Sequence, residues 1–362
     1  MKIAVVGLSP KVGGVETFII NMFRSLYQKH DFYFLTSYDE DVCYKDEILK
    51  NNGKIIKYCP RRSSLIKCRK DLNKFFKSNR VDVLWFNCCS LSSIEEIKIA
   101  YKNNISNIVV HSHNSKNMGS KLTFLLHTLN KLILNRFVYN TIACSNIAAD
   151  WMFNNTLRKN TKILHNAVNA KKFQYNKNLD IKMRKKLNIE KDCSVIGHVG
   201  RFHFQKNHKF LINIYEKYYK INKNSRLILC GEGEDKASIK EYVKQKNIEN
   251  NVLFLGNRND MEQVYQCMNM IVFPSLFEGL PFVLIEAQAS GIPCLISDNI
   301  SREVAITNLI HFKSLSDDPE LWANCVKNLI VYEKKSTLDE IVKAGYDIEE
   351  NVKNFEKILK LK

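Results

Sequence analysis

Along this chain, apolar runs of strand length alternate with longer segments in which apolar positions recur every three or four residues. The runs in the first half are KIAVVG, FYFLTS, KIIKYC, DVLWFN, NIVVHS and TIACS. In the second half they are SVIGHVG, RLILCGEG, VLFLG, MIVFPS and PCLIS. Runs that are apolar throughout suit strands covered on both faces, as in parallel sheets. The strand–helix alternation occurs twice, which predicts two doubly wound α/β domains. Residues 168–190 are polar, basic and poor in strand signal, so the expected domains are 1–175 and 176–345. Residues 346–362 read as a final amphipathic helix packing back on the first domain.

Two helical segments have surface-active composition. In RRSSLIKCRKDLNKFFKSNR, Leu65, Cys68, Leu72, Phe75 and Phe76 fall near one face and the rest is mainly Arg, Lys and Ser. That face meets either the core of the first domain or, with its basic flank, lipid headgroups. The segment KLTFLLHTLNKLILNRF is apolar with widely spaced cations.

Composition narrows the class. The chain has 362 residues, a length suited to two domains, and its 45% hydrophobic and 25% charged residues are those of a globular protein. No apolar stretch approaches the roughly 18 residues of a membrane span. The start, MKIAVVGLSP, reads as a first strand and not as a signal peptide. None of the 11 cysteines forms a C-x-x-C pair and most lie in apolar runs, which implies buried thiols in a reducing compartment. The net charge of +18 is lopsided. Residues 1–180 hold 28 Lys and Arg against 13 Asp and Glu, a net of +15, and the remainder holds 27 against 24. Such a first half suits an anionic partner: nucleic acid, an anionic membrane surface, or a lipid pyrophosphate at that surface.

Four motifs carry candidate chemistry. After KIAVVG, the loop SPKVGGVETF places Gly13 and Gly14 before a helix, where backbone amides can meet a phosphate or a sugar hydroxyl. It lacks the spacing of a dinucleotide fingerprint. In IVVHSHNS, His111 and His113 stand at the carboxyl end of a strand, where open α/β sheets bind ligands. They suit a polar contact to substrate or a structural hydrogen bond; no Cys, Asp or Glu cluster stands beside them for a metal. In GHVGRFHFQKN, Arg201 and Lys206 follow a strand and suit an anionic group, Arg as a fork and Lys as a point charge. The fourth motif, FPSLFEGLPFVLIEAQASGIPCLIS, is the most specific. Glu278 and Gly279 occupy the turn after a strand, a helix begins near Pro281 and carries Glu286, and Gly291 and Pro293 end it. A carboxylate so placed can accept hydrogen bonds from a vicinal diol.

The two glutamates seven residues apart in FEGLPFVLIE, with Arg201 and Lys206 upstream, resemble the family-4 retaining glycosyltransferases of the GT-B fold. The likeness runs through GGVE, HSHN, ACS, HNAV, GRFHFQKN and GEGE, and HSHNS with EAQASGIPCLISD is most similar to the bacterial capsular and exopolysaccharide branch. The resemblance implies two Rossmann-like domains facing each other across a cleft. It implies that Arg201 and Lys206 neutralise a donor diphosphate, that Glu286 bonds the nucleotide ribose, and that Glu278 meets the donor sugar. By the same likeness His113, with His111 as the alternative, lies near the anomeric centre. Gly14 meets phosphate and acceptor, and the amides of Gly279, Leu280, Pro281 and Phe282 form part of the donor site. The implied activity is transfer of a hexose from a nucleotide sugar, UDP-linked by resemblance, with no cofactor and no metal. The implied acceptor is a polyprenyl-diphosphate-linked oligosaccharide in polysaccharide assembly, met peripherally on the cytoplasmic face of the cell membrane.

Cations and helix-end amides aimed at the leaving diphosphate lower the barrier, each typically by about 2.7–4 kcal/mol. The expected chemistry is front-face attack, with the leaving phosphate taking the acceptor proton. Three other readings stay open. Asp39-Glu40-Asp41 is literally the D-x-D of a metal-dependent GT-A transferase, the same fold serves epimerases and hydrolases of sugar nucleotides, and the basic first half suits a nucleic-acid binder.

Overall fold

The apolar runs of the first half form β1 (Lys2–Val6), β2 (Asp31–Thr36), β3 (Lys54–Lys57), β4 (Val83–Cys88), β5 (Asn107–Ser112) and β6 (Asn140–Ala143) in the computed structural model. The structure describes residues 1–114, 116–117, 119–138, 140–278 and 280–360. A two-residue edge strand, β7 (Lys162–Ile163), completes a parallel sheet in the order β3-β2-β1-β4-β5-β6-β7. The second half supplies β8 (Ser194–Val199), β9 (Ser225–Cys230), β10 (Val252–Gly256), β11 (Met270–Phe273), β12 (Cys294–Ser297) and β13 (Ile310–Lys313). These form a second parallel sheet in the order β10-β9-β8-β11-β12-β13. Each sheet reverses its winding between its first and fourth strands, β1 and β4 or β8 and β11. That reversal is where open α/β sheets leave a crevice at the carboxyl ends of their strands. The twice-repeated α/β architecture of the sequence reading is the architecture found.

The chain divides into two compact units, Met1–Asn166 with Ile348–Lys362, and Ala167–Asp347. The final helix, Ile348–Leu359, is built into the first unit. Its Phe355 is fully buried against Trp85 with ring centroids 4.6 Å apart, and Asn107 donates to the Leu359 carbonyl at 2.7 Å. Residues 167–175, expected in the first domain, pack with the second unit instead. Val168 N–H donates to the Tyr346 carbonyl at 2.9 Å, and Phe173 lies against Tyr265 with centroids 5.8 Å apart.

The basic helix Leu65–Asn79 settles one of the open choices. Its Cys68, Leu72, Phe75 and Phe76 are buried in the core of the first unit, so its apolar face is structural. Asp39-Glu40-Asp41 lies in an exposed bend. There Asp41 pairs with Lys45 at 2.8 Å, and Lys57 donates to the Asp39 carbonyl at 2.7 Å. Among the described residues there is no cluster of three or more His, Cys, Asp or Glu able to hold a metal, and no helix long and apolar enough to cross a membrane.

Candidate functional site

In the second unit, the loop after β8 is clamped by the loop after β9. Phe202 N–H donates to the Glu232 carbonyl at 3.0 Å, and Asp235 N–H returns a bond to the Phe202 carbonyl at 3.1 Å. Two backbones in this contact leave no room for side chains. A Cβ on Gly231 would stand 2.1 Å from the Gly200 carbonyl oxygen, and one on Gly233 would stand 2.2 Å from that of Phe202. Both glycines also have positive φ, +138° and +157°, where L side chains are strained. The GEGE run therefore fixes the path of the loop that presents Arg201 and Lys206.

The loop after β11 clasps the same segment. Gln205 donates through Nε2 to the Phe277 carbonyl at 2.8 Å, and its own carbonyl accepts from Leu276 N–H at 2.8 Å. This clasp brings Lys206 Nζ to 2.6 Å from Glu278 Oε1. The two side chains are only 14% and 10% exposed, so the pair is shielded from solvent and each charge depends on the other. The ammonium also lies over the Phe273 ring, 4.7 Å from its centroid. Two residues 72 apart in sequence are thus joined at the ends of adjacent strands β8 and β11.

Arg201 does not share in that pair. Its Nη2 lies 2.9 Å from Glu234 Oε2, and His203 Nε2 is 3.5 Å from the other oxygen of the same carboxylate. The helix Phe282–Ala289 follows the Glu278 loop, with Pro281 as its extended N-cap. The open amides of its first turn are those of Phe282 and Val283, since Pro281 has none and Leu284 N–H donates to the Pro281 carbonyl at 3.1 Å. Gly279 lies outside the described residues. Farther along this helix, Glu286 is half-buried. Burial pushes its carboxyl up to about 7, with Glu262 adding to the rise and the 2.9 Å hydrogen bond from the Tyr265 hydroxyl opposing it.

In the first unit, the helix Gly14–Leu26 starts at an exposed turn with Gly13 as N-cap. Ser9 Oγ donates to Glu16 Oε1 at 2.7 Å and closes the glycine loop. His111 and His113 have different environments. His111 is fully buried, edge-on to Phe18 with centroids 4.8 Å apart, and neither ring nitrogen has a hydrogen-bond partner. Burial holds it well below the usual imidazole range, so it is a neutral core residue. His113 lies just past the strand end and is half-buried. Its Nε2 is 2.8 Å from Asn87 Oδ1.

The neighbours of Asn87 fix the tautomer of His113. Asn87 Nδ2 donates to the Val6 carbonyl at 3.1 Å, so Oδ1 faces the ring as acceptor. His113 Nε2 therefore carries the proton and Nδ1 keeps its lone pair. Burial lowers this imidazole to about 3, so it stays neutral through the physiological range and offers Nδ1 as an acceptor. Asn87→Asp is expected to raise the His113 pKa by on the order of one to three units, because an opposite charge favours imidazolium. Ring signals followed through a pH titration by nuclear magnetic resonance check this.

The structure thus joins Lys206 with Glu278, and it sets Arg201 on Glu234, Glu286 on Tyr265 and His113 on Asn87. Glu234, Tyr265 and Asn87 are functional candidates missed in the sequence. Asn87 had a readable signal, a polar residue at the carboxyl end of the apolar run DVLWFN.

Residues 180–346 match the family described as Glycosyl transferases group 1. The chain is 30% identical over 358 residues to the putative glycosyltransferase EpsF of Bacillus subtilis, covering 94% of this chain and 91% of the relative. It is 25% identical over 279 residues to the capsular polysaccharide biosynthesis glycosyltransferase CapH of Staphylococcus aureus, covering 74% of each. Among solved structures, the crystal structure of Anabaena Alr3699/HepE in complex with UDP superposes with a TM-score of 0.80 at 17% identity. That match covers 99% of this chain and all of the other, and it shares the GT-B fold. The chain belongs to the group 1 glycosyl transferases, and its relatives include a protein of polysaccharide biosynthesis.

Proposed function

We propose that this protein is a metal-independent, retaining hexosyltransferase of family 4 that uses a UDP-sugar. The observation that carries this reading is the shielded Lys206–Glu278 pair at the ends of β8 and β11, followed by the helix that carries Glu286. A diphosphate arriving there would take Lys206 from Glu278 and Arg201 from Glu234. Glu278, released, would accept hydrogen bonds from donor-sugar hydroxyls, and Glu286 from the ribose diol. The open amides at the start of the helix Phe282–Ala289 would add positive potential toward the diphosphate.

As the glycosidic bond to phosphate ionises, negative charge grows on the leaving group, where two cations already stand. These cations do the work a divalent ion does elsewhere, which is why we assign no metal and no resident cofactor. Front-face attack by the acceptor hydroxyl, with its proton passing to the leaving phosphate, retains configuration without a protein nucleophile. His113 would accept through Nδ1 from a sugar hydroxyl near the reacting carbon, and Gly13 and Gly14 would let phosphate or acceptor approach the first-unit helix. The acceptor in this reading is a polyprenyl-diphosphate-linked oligosaccharide of a cell-surface polysaccharide, reached at the inner face of the membrane. The basic first half supports this, as does kinship with a capsular polysaccharide enzyme.

Calorimetric titration with UDP, GDP, ADP and CMP tests the donor site. UDP is expected to bind, and Arg201→Ala is expected to weaken it by roughly tenfold or more through loss of a charge-assisted bond. Equal binding of all four nucleotides, or binding indifferent to Arg201, would remove the assignment.

A further inference from the structure

The helix Lys121–Ile133 is inside out. Leu122, Leu125, Leu129 and Leu132 recur on one face and are 64%, 55%, 52% and 65% exposed, with Phe124 beside them at 47%. Much of its attachment is polar. Leu91 N–H donates to His127 Nδ1 at 3.0 Å, which leaves the ring proton on Nε2, directed at the Trp151 carbonyl 3.2 Å away. Asn130 donates to the Leu91 carbonyl at 2.7 Å, and Lys131 donates to the carbonyls of Asp150 and Trp151, each at 2.8 Å. Apolar contact with the core comes at its C-terminal end, through Ile133 and the buried Leu134 beyond it. A surface helix of a globular domain normally has the opposite arrangement. A contiguous exposed apolar stripe of this kind marks a surface that is covered in use.

The surroundings indicate what covers it. The sequence holds no Asp or Glu between Glu96 and Asp150, so the helix and both its flanks carry only positive charge, with Lys121 and Arg136 exposed at its two ends. The turn that receives His127 and Asn130 at Leu91 receives Arg61 one residue later, through a 3.0 Å bond to the Ser92 carbonyl. Arg61 and Arg62, both exposed, lead into the helix Leu65–Asn79, where Lys67 is exposed and Ile66 is 83% exposed. An apolar stripe rimmed by cations matches the acyl boundary and headgroups of an anionic bilayer. A second copy of the chain fits poorly, because a two-fold contact through this face would set one basic rim against another.

We infer that the Leu122–Leu125–Leu129–Leu132 face, with Phe124 and the rim of Lys121, Arg136, Arg61 and Arg62, lies in the interface of an anionic phospholipid bilayer. The inference deepens the lipid-borne acceptor proposed above and rests on that reading for what the contact serves. The contact itself is drawn from exposure and charge in the first unit alone.

The test is flotation of the full chain with phosphatidylcholine vesicles, with and without phosphatidylglycerol. The protein is expected to float with the anionic vesicles and to do so weakly with the neutral ones. Leu125→Glu/Leu129→Glu is expected to reduce the bound fraction by roughly tenfold or more, since burial of both leucines is lost. Arg61→Glu/Arg62→Glu is expected to reduce the preference for anionic vesicles by several-fold. Both variants are expected to keep the circular dichroism spectrum and melting temperature of the wild type, which shows that the first unit folds. UDP binding, measured on the same samples, is expected to be unchanged. It also separates the two readings, because absent UDP binding with intact vesicle binding strikes the donor assignment alone. The inference is overturned if the wild-type chain ignores anionic vesicles, or if the leucine variant binds them as well as wild type. It is equally overturned if sedimentation shows a dimer that the leucine variant disperses.

Discussion

Lys206→Ala is expected to lower turnover by about two to three orders of magnitude, the usual effect of removing one preorganised contact to a charged transition state. It should also destabilise the protein, because Glu278 would be left as a shielded carboxylate without its counter-ion. Breaking such a pair from one side costs roughly 3–5 kcal/mol. The two effects separate in the double variant Lys206→Ala/Glu278→Gln. Removing both charges should return most of the stability while turnover stays low, since an ion pair shielded to this degree adds little net stability of its own. Urea midpoints and single-turnover rates for the two single variants and the double check this. A double variant as unstable as Lys206→Ala would mean that the lysine stabilises by packing against Phe273 and not through Glu278.

Nucleotide affinity is expected to depend on pH through Glu286. Ribose hydroxyls donate to a carboxylate, so binding favours the ionised form of a group that burial holds at about 7. Affinity should therefore rise by roughly tenfold per unit as pH increases toward 7 and level off above it. The terminal phosphate of UDP titrates nearby, at a second pKa of about 6, so the informative quantity is the difference from Glu286→Gln. That variant should lose the steep limb. Tyr265→Phe should move the limb to higher pH, because the Tyr265 hydroxyl holds the Glu286 carboxyl down. Stability changes in the opposite sense. Between about 4.5 and 7 the native protein keeps a proton on Glu286 that the unfolded chain releases, so stability falls as pH rises through that window. Glu286→Gln should accordingly raise the melting temperature above neutral pH.

Strands with uninterrupted apolar runs were legible because both faces of a parallel strand are buried, and Val83–Cys88 and Asn107–Ser112 show this plainly. The two that escaped, Lys162–Ile163 and Ile310–Lys313, lie at sheet edges, where half-exposed positions break the apolar run. Lys206, Glu278 and Glu286 could be named as candidates because each stands a short way past a strand end, but the meeting of Lys206 with Glu278 across 72 residues was not readable. Glu234 and Tyr265 were not named as candidates. Their roles come from contacts across 33 and 21 residues that only the sheet order creates. His111 and His113 are alternate residues at one strand end. Sequence named both, and only packing shows that one is core and the other reaches the edge. The two segments of surface-active composition part for a similar reason: Leu65–Asn79 turns its apolar face to the core and Lys121–Ile133 turns leucines to solvent. Both are amphipathic in sequence, and periodicity does not say which face the sheet will cover.

The second unit begins at Ala167 and ends at Asp347, and its two ends lie side by side, tied by the bond from Val168 N–H to the Tyr346 carbonyl. The first unit is therefore split in the sequence, with its last helix separated from the rest by the whole of the second. The second unit is one continuous stretch of sequence, whereas the first is completed only by residues that follow the whole of the second. Until Phe355 arrives, Trp85 lacks one aromatic neighbour and keeps Phe18 of the helix Gly14–Leu26 as another. The unit begun earlier in the sequence therefore cannot be completed until the whole of the later one has been made.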